Sequence, residues 1–155
     1  MVNISGSGFD FGHDGYDLVM DDGLVTMLIH ALFRDGRAPE GALAPGEDRR
    51  GHWASGFEAN SPDGSWFWLL RREKITPDMP YRVAELLEKA CAFMVAATEG
   101  PAAPVSHVRA NCYKAAIRGR IEGGLILFLG QSLEQRRFTI VYDFQNEQYQ
   151  LKETA

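Results

Sequence analysis

The chain has 155 residues, 45% of them hydrophobic and 24% charged, with a formal net charge of −5. That composition excludes wholesale disorder, and a chain of about 150 residues can bury roughly 68–70% of its unfolded surface as one domain. Its apolar runs, 90–97 and 125–129 among them, are far short of the roughly 18 residues that span a bilayer. The start, MVNISGSGFDFG, has neither the basic nor the apolar region of a signal peptide, and two cysteines, Cys91 and Cys112, make no disulfide framework. The expectation is a soluble intracellular chain with reduced thiols and no membrane partner. Charge is unevenly placed: residues 1–64 carry four basic and eleven acidic side chains, residues 65–155 twelve and ten. A chain without a net basic balance is not expected to bind nucleic acid directly.

Residues 1–15, rich in Gly, Ser and Asp, read as an arm with little structure of its own, followed by a single domain over 16–155. A short strand over 16–20 ends at Asp22-Gly23. A helix over 24–34 follows, capped by Asp22, with Leu24, Leu28, Ala31 and Leu32 at helical spacing. Thr26, His30 and Arg34 form its one narrow polar stripe, so it is mostly buried.

From 35 to 64 the periodicity disappears, and this stretch holds six Gly and three Pro. Loops beyond about 12–15 residues are uncommon unless they bind something or are disordered. Trp53 and Phe57 lie inside the loop and Trp66, Phe67 and Trp68 follow it, so all three tryptophans fall in this window. Such aromatics anchor either the loop to its own core or a partner to the loop.

Thr76-Pro77-Asp78 signals a helix start, with a hydroxyl cap, proline at the first helical position and an acid in the first turn. Met79, Val83, Leu86, Leu87, Ala90, Phe93, Met94 and Ala97 form its apolar face, and Gly100-Pro101 end it. The remainder reads as strands over 105–115, 120–129 and 136–144. The first alternates Val108, Ala110 and Cys112 with His107, Arg109 and Asn111; the last alternates Phe138, Ile140, Tyr142 and Phe144 with Arg137, Thr139 and Asp143. The middle strand is apolar on both faces. The fold class is therefore α+β: two main helices on a small, mostly antiparallel sheet of about four strands, with a long aromatic, Gly-rich loop. Two helices on one side cannot cover both faces, so either the loop or another chain covers the second.

Catalytic motifs are missing from the sequence: no Walker loop, HExxH, GxSxG or CxxC occurs. Asp10, Asp14, Asp17, Asp21 and Asp22 miss the EF-hand register, and His13, His30, His52 and His107 fall one to an element, so neither a metal nor a cofactor is expected. Glu134 and Asp143 are the one carboxylate pair that could be drawn as a glycosidase dyad, though they flank a strand and follow no motif. No enzyme activity is expected.

Three stretches, DDGLVTMLIHALFRDGRA (21–38), GEDRRGHWASGF (46–57) and GSWFWLLRREKITPD (64–78), together resemble the Mu-like phage baseplate protein forty-six family. That family is related to the small wedge subunit, gene product twenty-five, of contractile tails. The chain departs from the family pattern at His52, where a second Trp is usual, and in a longer link between the last two strands. The resemblance implies a non-catalytic structural component of the tail baseplate, assembled in the host cytoplasm and residing in the virion. Its implied partners are other wedge proteins, the tail sheath and the tail tube or hub, with strands around 120–144, including Phe138, Ile140 and Tyr142, facing the first sheath ring. It also implies that the Arg-rich segments Glu47-Asp48-Arg49-Arg50 and Arg71-Arg72, with Trp53, Trp66 and Trp68, face wedge neighbours or the tube. Arg37 is the counterpart of an arginine in the wedge family's post-helix motif. Arginine suits contacts of fixed geometry because its forked donors pair with carboxylates and its plane stacks on aromatics. The same clusters serve equally as internal staples of the loop. The competing readings are a cell-wall hydrolase and a host adaptor domain of similar fold.

Overall fold

In a computed structural model of the chain, the structure describes residues 3–5, 23–51, 64–70, 73–96, 105–130, 134–144, 146 and 148–154. A five-stranded antiparallel sheet in the order β1-β5-β4-β3-β2 carries helices on one face. Its strands are β1 (Asn3–Ser5), β2 (Val105–Lys114), β3 (Arg120–Leu129), β4 (Gln135–Asp143) and β5 (Gln148–Thr154). The helices are α1 (Leu24–Phe33), the single turn α2 (Phe67–Leu70) and α3 (Met79–Ala96). The four long strands and two main helices make the α+β arrangement that the patterning predicts.

Residues 3–5 differ from the expected arm: they join the sheet, with Asn3, Ile4 and Ser5 opposite Lys152, Leu151 and Gln150. The strand predicted over 16–20, the Asp22 cap and the Gly100-Pro101 stop lie outside the described residues. The last strand, Gln148–Thr154, has no counterpart in the sequence reading, because its alternation of Tyr149 and Leu151 among Gln, Lys and Glu is short and mostly polar.

Helix α1 buries Leu24, Val25, Leu28, Ala31 and Leu32 and exposes Thr26 and His30, as its stripe requires. Helix α3 starts two residues later than the Thr-Pro-Asp signal suggests. The Asp78 carbonyl accepts from the N–H groups of Tyr81 (3.0 Å) and Arg82 (3.2 Å), so Asp78 stands at the cap. A hydrogen bond from Thr76 holds its carboxyl below the usual carboxylate range. Pro80 then sits in the first turn, where a missing N–H costs nothing. The helix buries Met79, Val83, Leu87, Cys91 and Met94, and Glu85 pairs with Lys89 one turn on, 3.1 Å apart, on its wet side.

The core lies between these helices and one face of the sheet, where Cys112, Ile121, Leu125, Leu127, Phe138, Ile140 and Leu151 are buried. Burial of both thiols raises their pKa values, Cys91 to about 12 and Cys112 to about 11. The strands that the resemblance has facing the sheath, β3 and β4, are interior strands with partners on both sides. The margins are β2 and β1. At the β2 margin, which has no outer strand among the described residues, Glu88 Oε1 of α3 accepts from the Ala110 N–H at 2.8 Å.

Candidate functional site

The segment after α1, residues 34–38, has no regular ladder, yet Gly36 and Ala38 are buried. Buried carbonyls without partners cost about 1–3 kcal/mol each, so this segment needs donors from elsewhere. The two sequence motifs supply them. Trp68 Nε1 donates to the Gly36 carbonyl (2.8 Å), and Trp66 Nε1 donates to the Arg37 carbonyl (3.0 Å). Arg49 donates twice to the Ala38 carbonyl, from Nε (2.9 Å) and Nη2 (2.7 Å), and its own carbonyl accepts from the Ala38 N–H (2.9 Å). Three consecutive carbonyls are thus clamped by three side chains from 46–51 and 64–70.

Ser65 fixes the other side. Its N–H and carbonyl pair with the Arg34 carbonyl and the Gly36 N–H, both at 2.8 Å, and its hydroxyl donates to the Leu32 carbonyl (2.5 Å) at the end of α1. Close approach is the reason for two glycines here. Gly51 has φ 83°, and a Cβ there would lie 2.5 Å from Arg37 Cβ; Gly64, φ 80°, would drive a Cβ into the Arg34 carbonyl.

Immediately before Gly51, Arg50 holds a left-handed backbone, φ 52°, unusual for a residue with a Cβ. Asp48 Oδ1 accepts from its N–H (2.9 Å), its guanidinium pairs with Asp35 (2.7 Å) and lies 4.6 Å over the Trp68 ring. Both partners of the Arg50–Asp35 pair are substantially exposed, so the ion pair itself contributes at most about 1 kcal/mol. Glu47 closes the preceding turn, accepting from the Ala44 N–H at 3.1 Å. Arg49 and Arg50 are therefore staples of the loop: one is aimed at a carbonyl, the other at an acid of the same chain.

The remaining predicted residues separate into three groups. Arg37, Glu47 and Asp48 are exposed on the clamp, and Trp66 is partly buried. Trp68, Phe138, Ile140 and Tyr142 are in the core, the last three only 2%, 5% and 1% exposed, so they hold the fold and present no surface to a partner. Trp53, Arg71 and Arg72 lie outside the described residues. Asp35 and Ser65 were missed by the sequence reading; their signal is the flanking Asp35-Gly36 and Gly64-Ser65 pairs, which read as ordinary loop residues.

The sheet offers a second surface. Its face away from the helices carries His107, Arg109, Asn111 and Tyr113 of β2, Glu122, Gly124, Ile126 and Phe128 of β3, and Gln135, Arg137, Thr139 and Val141 of β4. His107 stacks on Phe128 with ring centroids 3.8 Å apart, and the Arg109 guanidinium lies 6.0 Å from the same ring. The two acids that the sequence offers as a glycosidase dyad sit at opposite ends of β4. Glu134 precedes β4 and Asp143 ends it, a separation of about 30 Å along an extended strand, against the roughly 5–10 Å that glycoside hydrolysis needs. Asp143 is moreover engaged by Arg120 Nε (2.8 Å) and Asn146 Nδ2 (3.0 Å). Among the described residues no cluster of His, Cys, Asp and Glu is arranged to hold a metal.

Comparison with known proteins agrees with the motif resemblance. The Baseplate protein gp46 of Escherichia phage Mu is 41% identical over 83 residues, which cover 52% of this chain and 57% of that protein. The chain thus aligns with little more than half of the Mu protein's length. No solved structure matches it. A family model described as Phage protein GP46 matches residues 24–123, from the start of α1 through the clamp and α3 into β3. The chain belongs to the phage protein GP46 family.

Proposed function

We propose that this protein is a structural subunit of a phage tail baseplate, a wedge component that joins neighbouring wedge proteins to the first ring of a contractile sheath. The name of the Mu relative supports the baseplate reading, and one feature of the fold supports the role of a joint. Of the seven residues of β5, only three are paired on their outer side with described residues, by Asn3–Ser5. A short margin strand leaves main-chain donors and acceptors for a partner strand to complete, with alternate side chains giving specificity. In this reading the sheath contact lies at this margin and not on β3 or β4, which are paired on both sides. The clamp holds Arg37, Glu47 and Asp48 on a loop of fixed shape, the requirement for a contact with a wedge neighbour or the tube.

The role is one of position, and no catalytic step enters it. Mixing the purified chain with the wedge and sheath proteins of its own phage tests the reading: co-assembly and recovery of the chain in purified tails are expected. Tails of normal composition that lack the chain contradict it. Clearing of a peptidoglycan suspension by the purified protein, lost in Asp143→Asn, would favour the hydrolase instead.

A further inference from the structure

The sheet face opposite the helices is divided by charge. Three neighbouring lateral rows run across it: His107–Phe128–Gln135, Arg109–Ile126–Arg137–Thr154, and Asn111–Gly124–Thr139–Lys152. They contain His107, Arg109, Arg137 and Lys152, all exposed, and no acid. The face's carboxylates, Glu122 and Asp143, begin only in the rows beyond, and Asp143 is held by Arg120. Among the described residues, the ion pairs lie elsewhere and none engages Arg109, Arg137 or Lys152. Partly buried Ile126 and Phe128 lie between these cations, and a Cβ at Gly124 would meet nothing within 4 Å, so a partner can approach the backbone there.

From this arrangement we infer that the cationic half of the sheet face is a docking surface for an acidic protein segment. Arg109 and Arg137 flank β3, so their backbones are about 10 Å apart, two strand spacings. The complementary ligand presents two carboxylates at that separation with an apolar side chain between them, set against Ile126 and Phe128. Arginine's forked donors bind such carboxylates in fixed geometry, and Arg109, already close to an aromatic ring, loses little freedom on binding. A nucleic acid fits less well: its continuous polyanion would run onto Glu122, and the chain as a whole carries a net charge of −5. The surface uses outward side chains, Lys152 of β5 among them, and not the main-chain groups of the β5 margin.

The test uses the full chain, isotopically labelled, titrated with a synthetic peptide of repeating Glu-Leu-Glu-Gly units. A Lys-for-Glu peptide and an oligothymidylate serve as the comparison ligands. Amide shifts are expected at 107–111, 124–128 and 135–139, with affinity falling as salt rises. Arg109→Glu combined with Arg137→Glu is expected to weaken the acidic peptide at least about tenfold, Lys89→Glu on α3 to leave it unchanged. The double Arg→Gln variant gives a smaller loss in the same direction and keeps the test decisive where the charge reversal unfolds the protein. Equal affinity for the Lys peptide, shifts confined to another surface, undiminished binding by both double variants, or tighter binding of the oligothymidylate would overturn the inference.

Discussion

The two faces of one sheet are built on opposite principles. Toward the helices, Phe138, Ile140 and Tyr142 of β4 pack with Leu125, Ile121 and Leu151, and the polar groups at its border are neutralised inside the chain, as where Arg136 meets Glu153 through two parallel bonds of 2.6 and 2.9 Å. Away from the helices, the intervening residues Arg137, Thr139 and Val141 face outward, and no acid among the described residues pairs with Arg109, Arg137 or Lys152. The first face is complete in the isolated chain; the second has its chemistry directed outward. Alternate residues of one strand thus divide stability from recognition, which is why a buried apolar stripe in β4 says nothing about contact with a partner.

Substitution of neighbours on β4 puts this division to its hardest trial. Phe138→Ala is expected to destabilise by about 3–5 kcal/mol, whereas Thr139→Ala on the other face should stay within about 0.5 kcal/mol. Urea unfolding of both variants checks it, and equal losses would erase the distinction between the faces.

The clamp extends the comparison to the loop. Trp68→Phe keeps the ring under Arg50 but leaves the Gly36 carbonyl without its donor, at an expected cost of about 1–3 kcal/mol. Gly51→Ala is expected to cost at least about 1–2 kcal/mol from its left-handed backbone alone, with the Cβ contact at Arg37 adding to it. Thermal unfolding reads both, and a neutral Gly51→Ala would show that the 35–51 loop is not held as described.

These features were unequally legible in the sequence. Periodicity located α1, α3, β2 and β4 because each has a buried side and a wet side, and the apolar run 125–129 located β3. Sheet order was not legible: nothing local distinguishes an interior strand from a marginal one, so the interior place of β3 and β4 shows only in the folded sheet. The three-residue β1 was hidden because Asn3-Ile4-Ser5 lies among Gly and Ser and is defined only by β5. The Arg and Trp motifs stood out, but their geometry did not, since charge arithmetic pairs arginine with acids whereas Arg49 is satisfied by a carbonyl.

A smaller effect sharpens the border of the core face. The hydrogen bond from Arg136 holds the Glu153 carboxyl below its ordinary value of 4.5, opposed by partial desolvation and aided by the arginine's charge. A lowered folded-state pKa stabilises above the unfolded value and is lost as pH falls through the folded one. Unfolding free energy should therefore decline below about pH 4.5 more steeply in the wild type than in Glu153→Gln. Parallel acid limbs would show that the pair contributes nothing.

The central claim is that this chain is a joint whose outward sheet face and β5 margin are completed by adjoining subunits. A reconstruction of the intact phage tail tests it most directly. The account predicts this chain in the baseplate, with protein density against Arg109 and Arg137 and beside β5. A tail in which the chain is present but both surfaces face solvent, or from which it is missing, would contradict it.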